Sequence, residues 1–82
     1  MKEAPNDTEL NTFYAGIRNG DDPKTICKIL NIPYRQFSYW KKQGKRYRKK
    51  KSRGEKLTKS ENACLKLYKL VRSASYRRRR DS

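Results

Sequence analysis

With 82 residues, 33% of them apolar and 38% charged, the chain has room for one domain with a modest core. It has no apolar run long enough to cross a bilayer and no signal-peptide stretch in MKEAPNDTEL, so the cytoplasm, including a nucleoid, is the expected compartment. The net charge of +15 is uneven: residues 1–32 carry four Lys/Arg against five Asp/Glu (−1), and residues 33–82 carry nineteen against three (+16). That polarity points to a polyanionic partner, and nucleic acid leads over a membrane surface, because each neutralised phosphate releases condensed counterions.

Met1 to Asp7 reads as a disordered leader, with Pro5 and Asn6 as breakers. Asp7 or Thr8 is the expected cap of a first helix over 8–19, whose Leu10, Phe13, Tyr14 and Ile17 recur at the spacing of one buried stripe. Gly20 is its expected stop. Asp21 and Asp22 before Pro23 form a start signal for a second helix over 23–30, so the acidic pair reads as caps and not as catalytic or metal-binding groups. Ile26, Ile29 and Leu30 are its stripe, and Asn31 is suited to a left-handed turn. A third helix is expected over 33–43, ending at Gly44, with Phe37 and Trp40 facing inward. The run Lys45 to Lys56, KRYRKKKSRGEK, holds eight basic residues and one acid, so it reads as a self-repelling arm that does not fold alone. Thr58 and Glu61 have capping-box spacing for a final amphipathic helix over 58–76. Its apolar sector holds Ala63, Cys64, Leu67, Tyr68, Leu70, Val71 and Ala74, with Leu65 outside it as an exposed residue. Residues 77–82 form a basic tail.

Residues 25–40, TICKILNIPYRQFSYW, fit a helix-turn-helix. Two short helices that cross steeply need a small residue at the contact, and Cys27 supplies it. The chain must then reverse, and Asn31 tolerates the conformation required. Ile26, Leu30, Ile32, Phe37 and Trp40 fill the angle between the helices, and the first helix completes a three-helix core. The expected fold is therefore all-α: a homeodomain-like helix-turn-helix unit over 8–44, a basic arm over 45–57, an amphipathic helix and a basic tail.

This arrangement leaves the outer face of the third helix free for a major groove in double-stranded DNA. The candidate contacts there are Tyr34, Arg35, Gln36, Ser38, Tyr39 and Lys42. Arg35 suits a bidentate contact to guanine, and Gln36 suits adenine. Lys45, Arg46, Arg48, Lys49, Lys50, Lys51 and Arg53 are candidate phosphate contacts of the arm, where Tyr47 is placed to stack on a sugar or base. Enzyme function is not expected: there is no histidine, no glycine-rich phosphate loop and no nucleophilic set. No cofactor or metal is expected, because Cys27 and Cys64 lack a paired ligand spacing. Three alternatives stay open: a transcription regulator using the same helix-turn-helix, a less specific RNA- or DNA-binding protein acting through its basic arms, and a protein adaptor that docks a partner or a second copy on its last helix.

The stretch FYAGIRNGDDPKTICKILNIPYRQFSYWKKQGKR resembles the N-terminal helix-turn-helix of bacteriophage terminase small subunits, and ENACLKLYKLVRSA resembles the long helix that follows it there. Transposase N-terminal domains have a similar helix-turn-helix and are the second resemblance. The first implies recognition of a viral packaging site in an infected host cell, with the terminase large subunit as partner.

Overall fold

The computed structural model describes residues 2–81, with side chains over 2–74, so the side chains of Arg77 to Arg80 lie outside the described residues. The chain is all-helical: α1 (Asp7–Arg18), α2 (Pro23–Leu30), α3 (Tyr34–Ser52) and α4 (Lys59–Asp81), with no strand among the described residues.

Local signals account for most of the boundaries. Asn6, not Asp7 or Thr8, caps α1: its side chain accepts from the Glu9 N–H at 2.8 Å, while Glu9 Oε1 accepts from the Asn6 N–H at 2.9 Å. Asp22 caps α2 ahead of Pro23. Helices α1, α2 and α3 end in the same hydrogen-bonded reversal, built on Gly20, on Asn31 at φ 56°, and on Gly54 at φ 83°. At the third, the Gly54 N–H donates to the Lys51 carbonyl at 2.9 Å and the Glu55 N–H to the Lys50 carbonyl at 3.3 Å. The Thr58–Glu61 box that opens α4 is formed in both directions, at 2.9 and 3.2 Å.

The long-range packing corrects several further expectations. Gly44 does not end α3, because the helix runs through it to Ser52 and takes in most of the basic run expected to stay unfolded. Gly44 is buried where α4 crosses: a Cβ there would meet the Cys64 carbonyl and lie 2.5 Å from Tyr68 Cβ. The basic run is carried forward by a helix already nucleated at Tyr34, so it bears no initiation cost of its own. Its last turn places Lys49, Lys50 and Lys51 at the end where the helix dipole favours cations. The leader is not disordered either. The Lys2 N–H donates to Gln36 Oε1 at 2.9 Å, and the Lys2 carbonyl accepts from Gln36 Nε2 and Trp40 Nε1, both at 3.1 Å. The Cys64 thiol donates to the Glu3 carbonyl at 3.3 Å, and Pro5 is buried. Lys2 to Asn6 thus forms a strap that satisfies the buried indole N–H and the Gln36 amide.

One core unites all four helices: Phe13, Ile26, Cys27, Phe37, Trp40, Cys64 and Leu67. The last helix therefore packs on the unit of the first three, a point the sequence left open. Phe13 and Phe37 stack with ring centroids 5.3 Å apart, although the backbones of α1 and α3 do not approach each other. Leu65, expected outside, is 3% exposed: on the wheel it lies only about 60° from Tyr68, which packs over Gly44. Tyr14, expected inside, is 51% exposed.

Candidate nucleic-acid interface

α3 carries nine Lys/Arg and no acid. Its inner face is fully committed: Gln36, Phe37, Trp40 and Gly44 are buried, and Tyr47 packs against the core. The outer direction is therefore fixed. At about 100° per residue, Arg35, Ser38, Tyr39, Lys45, Arg46, Lys49 and Arg53 all fall within about 60° of Lys42. Arg35, Lys42, Lys45, Arg46, Lys49 and Arg53 are exposed, while Ser38 and Tyr39 are half-buried. Residues assigned from sequence to a recognition face and to a separate arm thus share one stripe on one rigid helix. From Arg35 to Lys49 the stripe runs about 21 Å.

The remaining candidates are placed elsewhere. Gln36 is 5% exposed and bonded to the strap, so it does not face outward. Its place about 40° from the buried Trp40 turns it toward the core side of the helix. Lys50 is half-buried and donates to Glu61 Oε2 at 3.1 Å, which ties the end of α3 to the start of α4. Arg48 lies about 120° from Lys42, well outside the stripe, and Lys51 lies opposite it, beyond the core. Arg53 also pairs with Glu55 at 3.2 Å. Tyr34 is 42% exposed at the N-terminal end, with its ring 5.6 Å from Phe37 and Lys24 Nζ 5.5 Å from its centroid. Tyr47 is half-buried, and burial raises its phenol, so its ring is not a free stacking platform.

No family model, no curated protein and no solved structure matches this chain. The chemistry of the surface is what remains to define it. Burial raises the Cys27 thiol, and burial with the Glu3 and Glu61 carboxylates pushes the Cys64 thiol up to about 11, so neither is a ready nucleophile at neutral pH. Among the described residues no cluster of His, Cys, Asp and Glu could hold a metal ion, and no helix is long and apolar enough to cross a membrane. Glu61 is held below its ordinary pKa, first by the Thr58 backbone N–H and then by Lys50, so it stays an anion and keeps Lys50 engaged.

What sequence reasoning missed was the union of face and arm. The signals were present: no helix breaker stands between Lys45 and Lys51, and Gly54 follows as a second available stop.

Proposed function

We propose that the protein binds double-stranded DNA, with α2 and α3 as a helix-turn-helix and the outer face of α3 in the major groove. The carrying observation is the exposed stripe of Arg35, Lys42, Lys45, Arg46 and Lys49 on a helix whose opposite face is locked into the core. A major groove is about 12 Å wide, so a stripe nearly twice that length extends past its rim. With the N-terminal end of α3 against base edges, Lys45, Arg46 and Lys49 reach the bordering phosphates. Arg35 supplies selectivity, because a planar guanidinium can grip both acceptors of guanine. The left-handed Asn31 and the small, buried Cys27 support the turn. Recognition of a viral packaging site, in the manner of a terminase small subunit delivering DNA to its large subunit, is the biological role this reading favours.

Competition titrations with a preferred duplex and a scrambled one, at one fixed salt, test it. Arg35→Ala lowers affinity for the preferred duplex more than for the scrambled one, by roughly 1–3 kcal/mol of discrimination. Replacing Lys45, Arg46 and Lys49 with alanine weakens both alike and shrinks the slope of log K against log salt by roughly 0.9 per lost contact. Equal loss on both duplexes for Arg35→Ala favours the second reading, non-selective nucleic-acid binding through charge. An unchanged salt slope for the triple variant removes α3 from the interface.

A further inference from the structure

A groove of about 970 Å³ lies between α1 and α4. Its floor is apolar: Leu10 and Ile17 are half-buried, Tyr14 is 51% exposed, and Leu70 lies opposite them on α4. The stripe of α1 is thus divided. Phe13 goes to the core, while Tyr14 lines the groove. The rim is basic, formed by Arg18, Lys66 and Lys69, with Asp7 as the one acid in the lining. The Arg18 guanidinium donates to the Tyr14 hydroxyl at 3.0 Å and sits 5.3 Å from its ring centroid, which holds that cation at the groove mouth. Cys64 and Tyr68 face Gly44 of α3, so Lys66 and Lys69 lie on the side of α4 turned away from α3. The groove and the α3 stripe are therefore on different faces of the molecule.

We propose that this groove docks a short amphipathic helix from an acidic partner protein. Apolar residues on one face of that helix cover Leu10, Tyr14, Ile17 and Leu70, and its carboxylates meet Arg18, Lys66 and Lys69. The shape suits a helix of about three turns laid along α1, whose twelve residues span about 18 Å. Charge selects the occupant. A chain of net charge +15 repels a second copy of itself, whereas three cations around an apolar floor reward acidic flanks. The proposal does not rest on the DNA reading, and it allows both partners to be held at once.

The test uses the full chain and a synthetic helical peptide of about fifteen residues, with leucines at i, i+3, i+4 and i+7 and glutamates on the flanks. A control peptide of the same composition has its leucines dispersed round the helix. Binding is read by fluorescence anisotropy and by amide chemical shifts at physiological ionic strength. The patterned peptide is expected to bind about tenfold more tightly than the control, with the largest shifts at Leu10, Tyr14, Ile17 and Leu70. Lys66→Glu combined with Lys69→Glu, both exposed positions, should weaken it by about tenfold without lowering the Tm. Equal binding of the two peptides, or shifts confined to the outer face of α3, overturns the proposal in favour of unspecific charge attraction. Groove shifts that grow with protein concentration alone assign the groove to a second copy and overturn it too.

Discussion

Gly44 directly precedes the basic run and Gly54 lies near its end, and their neighbourhoods differ in kind. At Gly44 the backbone is helical and the space is closed, because α4 crosses directly over it. At Gly54 the space is open, with no atom within 4 Å of a Cβ position, but φ is +83°. One glycine is required by what lies next to it, the other by its own dihedral angle. The difference shows that a glycine after an amphipathic segment does not by itself mark a helix end. Between the two, a run that repels itself stays helical because its N-terminal side is anchored by the core and its C-terminal side by the Lys50–Glu61 pair.

The largest effect breaks the anchored side. Trp40 is 0% exposed, and its indole N–H is bonded to the Lys2 carbonyl. Trp40→Ala should cost roughly 3–5 kcal/mol, close to the whole stability of a small domain. A wild-type thermal melt would contradict the single core. The glycines sharpen the comparison next. Gly44→Ala should destabilise despite its gain of up to about 1 kcal/mol in helix propensity, because the added methyl meets α4 backbone that no rotamer change can clear. Overpacking of this kind costs about 1–3 kcal/mol. Gly54→Ala should cost about 1–2 kcal/mol through its dihedral alone. Asparagine should recover much of that loss at position 54, as it serves at Asn31, and none at position 44. Chemical denaturation of the four variants checks both halves.

The smallest effect concerns the anchor at the far end. The folded pKa of Glu61 is depressed, so its contribution is present above the ordinary glutamate value and is lost as pH falls through the lowered one. Glu61→Gln should melt slightly below wild type at neutral pH, with the gap closing in acid. A gap that persists in acid would show that the charge of Glu61 does not hold α3 to α4.

Much of the fold was legible in the residues because its signals are local. Asp22–Pro23, Asn31 and Thr58–Glu61 act through hydrogen bonds within a few positions, and each forms as expected. Phe37 and Trp40 were placed correctly by periodicity. What escaped depends on long-range contacts. Gly44 as a crossing point requires knowing that α4 returns over α3. Gln36 is satisfied in its inward position because Lys2 offers it two backbone groups from the far end of the chain. The candidate surface was accordingly half legible: Arg35, Tyr39 and Lys42 share a face as the wheel implies, but their continuity with Lys45, Arg46 and Lys49 follows from a helix the charge pattern argued against.

The central claim is that α3 acts as one surface along its whole length, and a titration of the chain with a short duplex, followed by amide and side-chain NMR shifts, tests it most directly. The account predicts perturbations with helical period, strongest at Arg35, Tyr39, Lys42, Arg46 and Lys49 and weak at the intervening Phe37, Trp40 and Gly44. Perturbations confined to α4 and the residues after it, or spread through residues 45–52 without helical period, would contradict it.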